Sequence, residues 1–142
     1  MRFTYPTRLR PDSTSELIVS FRDLPECLTS GASEAEALAE AADALEEAIA
    51  GRIDDAERIP VPSARRSGEH HVAVPAGTAA KAALALALRE SRLSRVTLAQ
   101  RLGVDEKAVR RMLDPRHRTA VHRIEAALRM LGHELVIETR AA

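Results

Sequence analysis

The stretch Ser94–Leu113, SRVTLAQRLGVDEKAVRRML, leaves this chain few ways to fold. Ser94 is a good N-cap for a helix over Arg95–Leu102, because its side-chain oxygen accepts a free N–H of the first turn. Gly103 supplies the left-handed backbone that ends a helix without a Cβ penalty. Asp105 then caps a second helix over Glu106–Leu113. Leu98, Leu102, Val104, Val109, Met112 and Leu113 fit one buried crossing, with Ala99 small where the two helices approach most closely. This is the layout of a helix-turn-helix. The outer face of the second helix carries Glu106, Lys107, Arg110 and Arg111, whose long polar side chains have the reach for base edges in a major groove. An ordinary helical hairpin with a solvated basic face is the competing reading. The small residue, the glycine four positions later and an apolar residue at each buried position favour DNA binding.

Composition narrows the rest. With no Trp, one Tyr and two Phe, any core is aliphatic and alanine-rich, which favours helices. At 142 residues the chain can form one domain or two small ones. It has no apolar run of about 18 residues that would span a membrane. Its start, MRFTYPTRLRP, lacks the apolar core of a signal peptide. The single cysteine, Cys27, excludes an internal disulfide framework, so the expected location is the reducing cytoplasm. The net charge of zero hides a division. Residues 1–77 hold 8 Lys and Arg against 14 Asp and Glu, a net of −6; residues 78–142 hold 13 against 7, a net of +6. The basic half suits a polyanion such as DNA, and the acidic half suits a basic protein.

Taken in order, Phe3–Arg10 alternates like a strand, with Pro6 pointing to an edge position. Residues 11–15 read as a turn, Glu16–Phe21 as a second strand and Leu28–Ser30 as a short third. Ser33 opens a helix as a capping box with Glu36. Its apolar stripe is Leu38, Ala41/Ala42, Leu45 and Ala48/Ile49, and Gly51 ends it. Pro60 and Pro62 bracket a candidate edge strand, and Ala64–Glu69 reads as exposed and mobile. His71–Val74 is a further strand, Thr78 caps a helix over Ala79–Glu90, and Thr119 caps a last helix with Val121, Ile124, Leu128 and Leu131 in register. His133–Thr139 is apolar and β-branched, a final strand that needs a partner for its backbone groups. Pairing with the same strand of a second copy gives a two-fold dimer, or a higher homo-oligomer built on it; pairing inside its own subunit with residues 71–74 is the alternative. The fold class is α+β: a first domain over residues 1–67, a linker with a short strand over 68–77, and a helix-turn-helix and dimerisation domain over 78–142.

Site chemistry follows from these placements. Lys107 and Arg111 are the candidates for base contact and Arg110 for base or phosphate, while Glu106 could accept from cytosine N4. Arg95 and Gln100 are placed for phosphates, with Arg116 and Arg118 adding backbone contacts. Hydrolytic chemistry has little to stand on. Asp12 and Asp23 are the acids near the first strands and both sit in turns. The adjacent His70 and His71 point to opposite faces of a strand, which does not make a metal pair. Cys27 has no basic neighbour in sequence to activate it. No enzyme activity, metal or cofactor is expected.

The N-terminal half also resembles a known family. YPTRLRPD, a strand, then SFRDLPECLTSGASEAEALAEAADALEEAI is similar to the HicB-type antitoxins, with Asp23, Leu24, Pro25, Cys27, Gly31, Glu36, Ala37 and Leu38 carrying most of the match. VAVPAGTAAKAALALALRES resembles the stretch preceding the DNA-binding part of longer members. Glu26 departs from the family's usual Gly, and Ser15-Glu16-Leu17 from its frequent Gly-Tyr. The resemblance implies a partial ribonuclease-H-like first domain without nuclease activity. Such a domain would neutralise a small basic HicA-type toxin that cleaves mRNA, and the second domain would bind operator DNA to repress the operon encoding both proteins. Glu34, Glu40, Asp43, Glu46 and Glu47 are then the candidate toxin contacts. A transcriptional regulator whose N-terminal domain senses a small molecule is the alternative function.

Overall fold

The computed structural model describes residues 1–141 and has two compact units, Met1–Ala79 and the chain from Ala80 on. The first unit holds β1 (Thr4–Pro11), β2 (Leu17–Phe21), β3 (Leu28–Gly31), α1 (Glu34–Asp54) and β4 (His70–Ala73). The second is helical: α3 (Arg95–Leu102), α4 (Glu106–Leu113) and α5 (Val121–Met130) follow α2 (Ala76–Ser91), within which the division falls. The α+β class expected from the sequence is the observed one.

The strands form one antiparallel sheet in the order β3-β2-β1-β4. β1 is therefore interior, not the edge strand that Pro6 suggested. The register explains why proline is tolerated. Val74 N–H donates to Phe3 O at 2.9 Å, so Phe3, Tyr5 and Thr7 turn their backbone groups toward β4 and Pro6 turns toward β2. Pairing with β2 begins only at Thr7, so the missing N–H of Pro6 breaks no ladder bond. The β1–β2 turn is closed by the Asp12 carboxylate, which accepts from Thr14 N–H at 2.7 Å, Thr14 O–H at 2.8 Å and Glu16 N–H at 3.0 Å. β4 belongs to this sheet, so residues 68–77 are not a simple linker; Val72 lies opposite Tyr5.

α1 covers one face of the sheet and is capped as expected, with Glu36 N–H donating to Ser33 Oγ at 3.2 Å. Its buried stripe is Ala37, Ala41, Leu45, Ile49 and Ala50, one position off the expected start at Leu38. The cause is close approach to β3: a Cβ on Gly31 would stand 2.7 Å from Ala37 Cα, so the crossing admits only small residues. Gly51 does not end α1, which runs on to Asp54. A glycine inside a helix costs only about 1 kcal/mol, and Arg52 anchors the last turn by pairing with Glu26 at 2.6 Å and donating to Arg58 O. Tyr5, Val19, Phe21, Leu24, Leu45, Ile49 and Val72 make up the core.

The candidate edge strand around Ile59–Val61 does not form. The segment is instead strapped to the sheet side by side: Tyr5 O–H donates to Pro60 O at 2.8 Å, and Ser63 N–H to Asp23 Oδ2 at 2.8 Å. Ala64–Gly68 are exposed as expected, but Glu69 is not. Its side chain is 4% exposed and takes Arg22 Nε and Nη2 at 3.0 and 3.1 Å, while Arg66 N–H donates to it at 2.7 Å.

In the second unit, Leu84, Leu88, Leu98, Ala99, Val109, Met112, Leu113, Ile124, Ala127 and Leu128 close one aliphatic core. Thr78 is a first-turn residue of α2, not its cap; its hydroxyl donates to Glu46 Oε1 at 2.7 Å. Thr119 likewise leaves capping to Ala120, which offers no side-chain acceptor to α5, and Val121 is exposed. Val104 is exposed as well, because its backbone N–H closes α3 on Ala99 O at 3.0 Å while its side chain faces outward. Residues 133–139 form no strand. Residues 71–74, the intrachain partner considered, pair with β1 alone. Leu135 packs on the core, whereas Val136 and Ile137 are 76% and 74% exposed.

Candidate functional site

Local chemistry positions α3 and α4. Thr97 N–H donates to Ser94 Oγ at 3.0 Å, Gly103 takes φ +67° to end α3, and Lys107 N–H donates to Asp105 Oδ1 at 2.8 Å to start α4. Val109, Met112 and Leu113 then bury one side of α4 and leave Lys107, Arg110 and Arg111 exposed on the other. Within that set Glu106 and Arg110 are ion-paired at 2.7 Å, so each satisfies the other across one turn. Lys107 and Arg111, also four apart, have no acidic partner among the described residues and are free cations of the face. Arg95 and Gln100 are exposed on α3; Arg116 and Arg118 lie in the α4–α5 connection, beyond the end of α4.

The acidic residues of α1 separate in the same way. Glu40, Asp43 and Glu47 recur at helical spacing on the side opposite the buried stripe and are exposed. Glu46 is half-buried and bonded by Thr78, and Glu34 stands apart in the first turn.

The other candidate groups are engaged in holding the fold. Asp12 closes the β1–β2 turn and Asp23 accepts from Ser63 N–H and O–H. The hydrogen bonds from Thr14 hold the Asp12 carboxyl below its ordinary range. Cys27 is buried, and desolvation pushes its thiol up to about 11, far from a thiolate at neutral pH. Among the described residues no group of three His, Cys, Asp or Glu side chains could hold a metal ion, and no helix is long and apolar enough to cross a membrane.

Sequence reasoning passed over Lys81 and Arg123. Lys81 is 3% exposed, and its Nζ donates to Arg111 O and Thr119 Oγ1, each at 2.9 Å. Burial lowers its pKa, partly offset by the nearby Asp114. The available signal was a single lysine within the Ala- and Leu-rich run AAKAALALAL. A cation there must either snorkel or find buried acceptors, and Lys81 finds them at the end of α4.

Comparison with known proteins agrees with this architecture. A family described as HicB-like antitoxin of bacterial toxin–antitoxin systems matches residues 4–83. Antitoxin HicB of Escherichia coli K12 is 37% identical over 131 residues, covering 92% of this chain and 95% of that protein. Antitoxin HicB 1 of Photorhabdus laumondii is 37% identical over 133 residues, covering 94% and 84%, and antitoxin HicB of Pseudomonas fluorescens is 36% identical over 125 residues, covering 87% and 86%. With a matching sheet-and-helix unit and similarity continuing through the helical one, the chain belongs to the HicB-like antitoxins of bacterial toxin–antitoxin systems.

Proposed function

We propose that this antitoxin neutralises a small basic mRNA-cleaving toxin with its first unit and represses the operon encoding both proteins with its second. The reading rests above all on the segregation of charge: a net of −6 over residues 1–77 and +6 over residues 78–142. The exposed carboxylates of Glu40, Asp43 and Glu47 suit a basic protein surface, and Glu34 and Glu46 flank them on the same helix. Neutralisation proceeds by occlusion and needs no catalysis, since Asp12 and Asp23 are committed to turn and strap hydrogen bonds. α4 is the groove-reading helix, with Lys107 and Arg111 on bases, Arg110 and Glu106 adjoining, and Arg95 and Gln100 on phosphates. The protein works in the cytoplasm, where both the messenger and the operator are.

Operator recognition is by a dimer or higher homo-oligomer, because a helix-turn-helix reads two half-sites with two copies. The exposed pair Val136 and Ile137 supports an association through residues 133–139, which have β-forming composition and no partner strand in one chain. Co-expression with the neighbouring small reading frame tests the whole reading. Growth rescue, a co-purifying basic protein and a shift of the operon's promoter fragment are the expected results. A chain that rescues nothing and captures no basic protein contradicts it.

A further inference from the structure

A cleft opens at the corner between α4 and α5, lined by Arg111, His117, Arg118, Thr119 and Arg123 over a floor that includes Met112. Among the described residues no carboxylate lines it. The side chains of Arg111, Arg118 and Arg123 are exposed and make no ion pair or hydrogen bond among the described residues. Their neighbours behave differently: Arg110 and Arg129 are each paired with a glutamate four residues earlier at 2.7 Å. Three guanidinium groups around one concavity repel one another unless an anion sits among them.

The concavity is built, not incidental. Buried Lys81 ties Arg111 O to Thr119 Oγ1 from beneath, Thr119 O–H donates to Arg111 O at 3.3 Å, and Thr119 Oγ1 lies 3.1 Å from His117 Nδ1. This fixes where the connection leaves α4, and with it the positions of Arg118 and Arg123. Ala120, at the cleft's edge, gives α5 no side-chain cap.

We propose that this corner is a phosphodiester-binding cleft that clamps one backbone phosphate of duplex DNA, with Lys81 as the positioning residue that holds its shape. The assignment rests on the DNA-binding reading above and adds to it a site outside the groove-reading face. Arg111 belongs to both, which places a clamped phosphate beside the bases that α4 reads. Guanidinium groups suit this ligand because they present paired donors to phosphate oxygens.

The test is the salt dependence of full-length chain binding to its promoter duplex and to an unrelated duplex. In the Arg118→Ala/Arg123→Ala double variant, affinity for both duplexes falls about tenfold, and the slope of log K against log salt falls by about one. Arg118→Lys/Arg123→Lys retains most of the slope. Lys81→Met, with cleft charges intact, loses the slope to the same degree while its circular dichroism stays helical; if that variant fails to fold, the arginine variants decide alone. An unchanged slope in the double alanine variant overturns the cleft while leaving DNA binding standing. Wild-type chain that binds neither duplex overturns both readings. Tight binding of inorganic phosphate by wild type, lost in the double variant without any change on DNA, reassigns the cleft to a free anion and overturns the proposal.

Discussion

Arg111 carries three connections at once: its guanidinium is a free cation on α4, its side chain lines the corner cleft, and its carbonyl receives Lys81 and Thr119. Truncating only its side chain leaves the backbone bonds in place. Arg111→Ala is expected to cost about 1–3 kcal/mol on the cognate site and to relax preference at one base position, measured by binding to a set of single-base variants. Uniform weakening on every duplex would assign Arg111 to phosphate alone. A second single-residue effect belongs to Glu69. Hydrogen bonds from Arg22, then from Arg66 N–H, hold its carboxyl at about 2 against an ordinary 4.5. The folded-state value is depressed, so between about 4.5 and 2 the unfolded chain binds more protons than the folded one. The stabilisation is complete above that window and is lost as pH falls through it. Acid melts of the wild type should show this loss, and Glu69→Gln should flatten it. The base contact proposed for Arg111 was legible in sequence, whereas the role of Glu69 was not: it lies 47 positions from Arg22, and only the folded strap brings them together.

At the scale of elements, what could be read locally was read well. The caps of α3 and α4, the Gly103 turn and the Ser33 capping box each depend on residues within four positions of one another, and the structure has them all. What depended on distant neighbours shifted. Ala37 replaces Leu38 in the α1 stripe because Gly31 lies against it, β1 is interior because β4 returns from 60 residues on to pair with it, and α1 passes Gly51 because Glu26 holds Arg52. Thr78 and Thr119 looked like caps but face Glu46 and Lys81 instead. α1 itself offers a clean test. The triple reversal Glu40→Lys/Asp43→Lys/Glu47→Lys changes only exposed positions opposite the buried stripe, so its thermal stability should move by no more than about 0.5 kcal/mol per site. It is expected to abolish capture of the basic toxin while promoter binding persists. Toxin capture at wild-type affinity would remove α1 from the interface.

For the molecule as a whole, the charge division and the two compact units match the two kinds of partner proposed above. The acidic unit is built around a sheet and one long helix, and the basic one around a short capped helix pair. Family membership and the division into opposite charges are both legible in the sequence, because each is a property of composition and local motif. The proposed association of copies was read from the β-forming composition of residues 133–139, which form no strand among the described residues of one chain. The central claim is that neutralisation works by covering the toxin and not by any chemistry of this chain. The most direct measurement is cleavage of a messenger RNA by the purified small basic protein of the neighbouring reading frame, titrated with full-length antitoxin. Cleavage should stop once the two are equimolar, with no change in either chain's mass. Cleavage that continues through an excess of antitoxin would contradict the account.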